Sequence, residues 1–200
     1  NQLINTMENN AVKGQALSDR LTQIPTFKIL LWLSMVSMVM MFAGLTSGYI
    51  VRQAEANWLF FEIPQAFTYS TIFIILSSIS MFWAQRSVTK NDRSGLTKGL
   101  TITLVLGLAF CVTQFSAWSE LVRQGIYFTG NPSGSFLYVL SAMHLLHLAG
   151  GILYLVIVTA KSYQGSYTAE NHLPIELCSI FWHFLDFLWV YLFIFLSMLR

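Results

Sequence analysis

The sequence predicts an all-α membrane protein: an integral bundle of five transmembrane helices, with the N-terminus cytoplasmic and the C-terminus external. Three observations carry this expectation. Of 200 residues, 55% are hydrophobic and 15% aromatic, and only 10% are charged, against about 25% in soluble domains. Too little polar surface remains to coat a water-soluble globule, and the mean hydropathy of +0.59 agrees. Five stretches, residues 28–51, 66–85, 98–119, 135–160 and 177–199, stay apolar for the roughly 20 residues an α-helix needs to cross hydrocarbon. The cations divide unevenly between the two sides of such a bundle. Lys13, Arg20, Lys28, Arg86, Lys90, Arg93, Lys98 and Lys161 fall on one side, and Arg52, Arg123 and Arg200 on the other. The side richer in Lys and Arg is the cytoplasmic one.

Residues 1–27 read as a cytoplasmic tail and 28–200 as the transmembrane domain. The chain opens "NQLINTMENN", so Met7 is a candidate start. No cleavable signal peptide is expected, because the first 26 residues are polar and mixed in charge. Within the tail, "VKGQALSDRLTQI" is either an amphipathic surface segment or a solvated stretch. Each span then carries a packing face. In the first, Ser37, Met41, Gly44 and Gly48 recur at helical spacing, and Gly44 with Gly48 forms a small-xxx-small pair suited to close backbone approach. The third repeats the idea with Thr103, Gly107, Cys111 and Gln114, and the fourth with Ser141, His144, His147 and Gly151. Polar breaks such as "KNDRSG" and "GNPSG" supply turns between spans. Cys111 and Cys178 fall at unmatched helical positions, so they read as inert thiols.

Few ionisable groups enter the spans: His144, His147, His183 and Asp186, with Glu176 at the start of the last one. An isolated acid at mid-membrane costs about 3 kcal/mol on insertion scales and normally faces protein. On the last span, Trp182, His183, Asp186, Trp189 and Phe193 share one stripe. Haem ligation by these histidines requires matched depth on facing helices. His147 and His183 instead differ by roughly 10 Å in depth at 1.5 Å per residue. A direct proton relay lacks a continuous chain of acids, and neither a P-loop nor an HExxH zinc site occurs. The bundle's net charge of +2 gives no reason to expect nucleic acid. The residues alone therefore favour a satisfied polar cluster that seats the last helix, with no catalytic residue and no metal site in this chain. A haem-binding anchor and a small transporter remain as alternatives.

The segment "ELCSIFWHFLDFLWVYLFIF" resembles the last helix of subunit III of haem–copper terminal oxidases. "SFLYVLSAMHLLHLAGGILYL" resembles the family's helix with paired histidines, and "NHLPIE" its short motif before the last helix. "KGLTITLVLGLAFCVTQ" and "MMFAGLTSGYIVR" resemble two earlier helices. The resemblance covers residues 28–200 and is to the five-helix form. It implies an accessory subunit of a cytochrome c oxidase in a bacterial plasma (inner) membrane, working in aerobic electron transport coupled to proton pumping. Haem and copper are then expected in partner subunits rather than here. Subunit I (the catalytic one) and subunit II become the expected partners. Bound phospholipid is expected in a cleft between the first two and last three helices, and the implied roles are oxygen access, proton uptake and catalytic lifetime. A quinol oxidase or a nitric oxide reductase-associated homologue is the nearest alternative.

Carried over residue by residue, the resemblance marks His144, His147, Trp182, His183, Asp186 and Trp189 as the structural polar cluster. It marks Lys161, His172 and Glu176 as lipid-binding, Lys161 standing where the family has a basic residue near a lipid phosphate. An ordinary interfacial anchor would equally explain Lys161. Two departures stand out: Met38 and Ala117 occupy positions where the family has intramembrane carboxylates. Pro174 replaces a family glycine, and proline is at home in a first helical turn.

Overall fold

Five helices account for the regular structure of the described residues: α1 (Thr26–Gln53), α2 (Gln65–Thr89), α3 (Arg93–Arg123), α4 (Pro132–Tyr163) and α5 (Leu173–Met198). The computed structural model describes residues 26–54, 58, 59, 61, 64–165, 167 and 172–199. The expected tail, with Met7 and the amphipathic segment, lies outside them. All five helices are long and apolar enough to span a membrane. Even the shortest has 25 residues and reaches about 37 Å, against a hydrocarbon core of about 30 Å. The helices therefore run beyond the apolar stretches, and polar residues cap the excess. Asp92 accepts from the Gly95 amide at 3.0 Å to start α3, and Asn131 accepts from the Ser133 amide at 3.0 Å to start α4, with Pro132 in its first turn. Between α2 and α3 the turn closes at Asn91 with φ 56°, the left-handed region that Asn enters more readily than most residues.

Two compact units divide at residue 38. In the first, the described part is the opening of α1, Thr26–Met38. There Ser34 and Ser37 donate back to the carbonyls of Leu31 (2.8 Å) and Leu33 (3.1 Å), which is how a hydroxyl satisfies itself in an apolar helix.

The second unit, Val39–Arg200, holds a closed ring of helices. Each helix packs on the next, α2 on α3, α3 on α4 and α4 on α5, and α5 returns to α2. This is an up-down-up-down four-helix bundle. The expected grouping of the first two helices against the last three is not how they pack, because α2 lies directly on both α3 and α5. The closest approach is α2 on α3, where a Cβ at Gly99 would meet the Ala84 Cβ at 2.8 Å and its Cα at 3.0 Å. Only glycine admits this spacing.

The 39–53 part of α1 comes no nearer than 8 Å, Cα to Cα, to any ring helix. It reaches the ring through side chains. Tyr49 meets Trp58, Phe136 and Phe195 edge-on at 4.7, 5.9 and 5.2 Å between centroids. The Gln53 amide donates to the Leu199 carbonyl at 2.6 Å. Among the described residues the expected Gly44–Gly48 seam has no partner helix: a Cβ at Gly44 would meet nothing within 4 Å, and one at Gly48 only the Phe136 ring at 3.6 Å.

These two glycine environments predict opposite outcomes. Gly99→Val should destabilise the detergent-purified chain by about 1–3 kcal/mol, the usual cost of overpacking. Gly44→Ala should stay within about 0.5 kcal/mol, as surface substitutions do. Denaturant unfolding of both variants checks this, and equal losses would contradict the packing described.

Candidate functional site

The ring's diagonal partners, α3 and α5, have no backbone approach within 8 Å. Side chains of α5 fill the gap. Trp182 is fully buried and reaches α3, where a Cβ at Gly107 would lie 2.8 Å from the indole edge. Its Nε1 donates to Ser77 Oγ of α2 at 3.0 Å. Trp189, two turns on, donates to Thr71 Oγ1 of α2 at 3.1 Å. Its ring lies 5.0 Å from Phe110 of α3, 5.0 Å from His144 of α4 and 6.0 Å from Phe67 of α2. One indole thus touches all three other ring helices. Both N–H groups find a partner, as buried indoles require where no water is available.

The expected cluster divides around these two indoles. His144 joins Trp189 and Phe110 in the centre, fully buried. His183 and Asp186 turn toward α2 instead. His183 Nδ1 and Ser78 Oγ are 2.6 Å apart, and one helical turn earlier Ser179 donates to Gln85 Oε1 at 3.0 Å. His147 faces a third way: its Nδ1 lies 2.7 Å from its own helix's Met143 carbonyl, and its ring is 6.0 Å from Phe42 of α1. The imidazoles therefore have different neighbours and do not converge. Among the described residues, no three His, Cys, Asp or Glu side chains are grouped to hold a metal ion.

Among the described residues, both carboxyl oxygens of Asp186 are buried outside strict hydrogen-bond geometry. Ser78 is the polar group they face, and its hydroxyl, which also meets His183, keeps the capacity to bond the carboxyl group. Among the same residues, the two nitrogens of His144 and both amide atoms of Gln114 are buried without partners. Ala117, one turn from Gln114, is fully buried, so the position where the resemblance implies an acid here packs a methyl group into the ring.

At the opposite end from Arg123, Lys161 is exposed in the last turn of α4. His172 is the N-cap of α5 with Nδ1 buried, and Glu176 sits in the helix's first turn. Tyr154 donates to the Pro174 carbonyl at 3.2 Å and so ties α4 to the start of α5. Tyr167, outside the spans and 6% exposed, packs beside Cys178; burial first, and then the thiol, pushes its phenol upward. Both cysteines are free. The residues that sequence reasoning missed are the α2 acceptors Thr71, Ser77, Ser78 and Gln85. Their signal is present in the sequence: Trp182 and Trp189 are seven residues apart, and Thr71 lies six and seven residues before Ser77 and Ser78. Two antiparallel helices bring such pairs into register.

Fold and site together define a multi-pass helical membrane subunit whose intramembrane polar groups seat one helix on another. More particularly, the chain belongs to the cytochrome c oxidase subunit III family, whose description, Cytochrome c oxidase subunit III, matches residues 25–199. It is similar to cytochrome c oxidase subunit 3 of Petromyzon marinus, 31% identical over 67% of this chain and 49% of that protein. Against the subunit 3 of Spodoptera frugiperda it is 31% identical over 67% of this chain and 87% of the relative. Against that of a Synechocystis species it is 32% identical over 79% of this chain and 69% of the relative. The chain thus spans about half the length of the first relative and most of the second.

The site geometry predicts unequal consequences for two neighbouring residues. A double-mutant cycle of His183→Ala with Ser78→Ala should give a coupling of about 0.6 kcal/mol and no more than about 1.7, the range for polar contacts between membrane helices. Asp186→Asn keeps a side-chain oxygen that Ser78 can meet and removes an ionisable group that is expensive to bury, so the stability of the isolated chain should hold or rise. Reversible unfolding in detergent reads both. A loss above 2 kcal/mol for Asp186→Asn, on the scale of about 3–5 for a broken buried pair, would contradict this arrangement.

Proposed function

We propose that the chain is an accessory, non-redox subunit of a respiratory cytochrome c oxidase. In this reading it packs on catalytic subunit I, in a complex with subunit II, in a bacterial plasma (inner) membrane with its N-terminus in the cytoplasm. The observation that carries the reading is the separate engagement of the three intramembrane imidazoles. His144 is flanked by aromatic rings, His147 bonds its own helix and His183 bonds Ser78. Axial ligation or a shared metal needs convergence, and these groups diverge. Of the three, His183 seats one helix on another and the other two stay within their own packing, so in this reading oxygen reduction belongs to the partner that carries haem and copper.

The proposed contribution of this subunit is to ease oxygen access, assist proton uptake and prolong catalytic lifetime. Met38 and Ala117 offer no carboxyl group, so at those two positions the contribution is packing. Lys161, with His172 and Glu176 at the same end, is the proposed head-group site for a phospholipid; an exposed lysine at a membrane interface suits a phosphate electrostatically.

The test uses the purified oxidase complex carrying His183→Ala. Subunit stoichiometry should fall, or the subunit should be lost more readily in detergent. The initial oxygen-consumption rate of the remaining complex should stay close to wild type, with faster inactivation during turnover. Full stoichiometry with a near-zero initial rate would overturn the reading, as would stoichiometric iron or copper retained by the separated subunit.

A further inference from the structure

The polar pairs that join α2 to α5 do not stop at the core. Ser77 and Thr71 are buried beneath the indoles, whereas Ser78 and His183 are only half-buried, with Ser78 Oγ and His183 Nδ1 2.6 Å apart. Nδ1 is occupied by that contact. Nε2 has no hydrogen bond among the described residues and is not enclosed by them. The surface around the pair is apolar: Ile75 and Phe82 of α2 are 45% and 55% exposed, and Phe187 of α5 is 75% exposed. Phe82 stands one turn beyond Ser78, and Phe187 one turn beyond His183. Because the two helices are antiparallel, these rings bracket the imidazole from opposite sides.

The pair also lies at mid-helix. Ser78 is about 2 Å along the axis from the midpoint of α2, and His183 about 4 Å from that of α5, at 1.5 Å per residue. At this level hydrocarbon can neither donate nor accept a hydrogen bond. Ionisable side chains in spans face protein for that reason. We propose that the α2–α5 face centred on His183 is a docking surface for a transmembrane helix of another subunit. That helix presents a hydroxyl or carboxamide side chain to Nε2, and apolar surface to Phe82 and Phe187.

The group behind the imidazole selects this chemistry. Ser78 is shared between His183 and Asp186. When its hydroxyl donates to Asp186 it accepts from Nδ1–H, and Nε2 is left as an acceptor. When it donates to Nδ1, Nε2 carries the proton and donates. A hydroxyl or a carboxamide answers both states, because each can donate and accept. An acyl chain answers neither. A second copy of this chain, related by a two-fold axis, would set Nε2 against Nε2, so one imidazole would have to donate while its symmetric mate accepted. The proposal rests on the reading of the chain as one subunit of an oxidase, but the two fail differently. An oxidase that purifies without this chain overturns the reading and the docking face together; one that contains the chain leaves the face to be tested by itself.

The test is photo-cross-linking in the purified oxidase complex, with benzoylphenylalanine in place of Phe187 or, separately, of Phe82. Both positions should cross-link to one apolar helix of another subunit, within a turn of a hydroxyl or carboxamide side chain. Two variants then separate docking from the seating of α5 on α2. His183→Asn keeps a polar atom where Nδ1 meets Ser78 and loses the outward group, whereas His183→Gln keeps a polar atom near Nε2. The yield per copy of this chain should fall between about threefold and twentyfold in His183→Asn, the effect of one polar contact between membrane helices. In His183→Gln it should stay close to wild type. A yield that His183→Asn leaves unchanged, or that His183→Gln lowers as much or more, would overturn the proposal and leave His183 a seating residue alone. Cross-links confined to lipid, or to a second copy of this chain, would also overturn it.

Discussion

An indole N–H buried in a membrane bundle has no water to turn to, and this constraint organises the molecule. Trp182 and Trp189 meet it by donating to Ser77 and Thr71 of α2. Both bonds run from α5 to α2, so they close the ring of helices at the one junction that chain connectivity does not supply. The same two side chains extend past the ring's centre to α3, where Gly107 leaves room for one and Phe110 meets the other edge-on. Substituting smaller residues would open the centre. Larger residues at position 107 would push the indole off its hydroxyl.

From that closure follows the separation of interior and surface. The ring's centre is occupied by two indoles, an imidazole and the side chains packed on them, which makes it a solid core rather than a passage. Polar groups near it are used for seating, as with His183 on Ser78, or, among the described residues, are buried without partners, as with His144 and Gln114. Chemistry open to the surroundings lies at the periphery: the cationic end with Lys98 and Lys161, and the side chains through which the 39–53 part of α1 is held. A subunit built this way would act on neighbours through its outer faces, which is the physical basis for the proposed accessory role.

Much of this was legible in the sequence. The five spans appear as uninterrupted apolar stretches, and their real ends differ because caps such as Asp92 and Asn131 extend each helix into the interface. The α5 stripe was visible through spacing alone, since Trp182, Asp186 and Trp189 are buried together as expected. What could not be read was partner choice. The Gly44–Gly48 spacing is a real signal for close approach, but spacing does not say whether a second helix arrives, and among the described residues none does. The histidines and Asp186 looked like one cluster because they share stripes, whereas rotation about each helix axis sends them to three different neighbours. The grouping of two helices against three came from resemblance, and the actual packing of α2 follows from Gly99 and Ala84, two small residues that composition does not single out. The α2 hydroxyls were overlooked because each, taken singly, is an ordinary serine or threonine in an apolar helix.

The most direct measurement is a double-mutant cycle on Trp182 and Ser77, using Trp182→Phe and Ser77→Ala in the purified chain. Phenylalanine keeps an aromatic ring while losing the N–H, so the cycle isolates the bond that closes α5 on α2. The predicted coupling lies between about 0.5 and 1.7 kcal/mol, within the range for hydrogen bonds between membrane helices. Additive losses, with no coupling between the two substitutions, would contradict the claim that this bond seats the last helix.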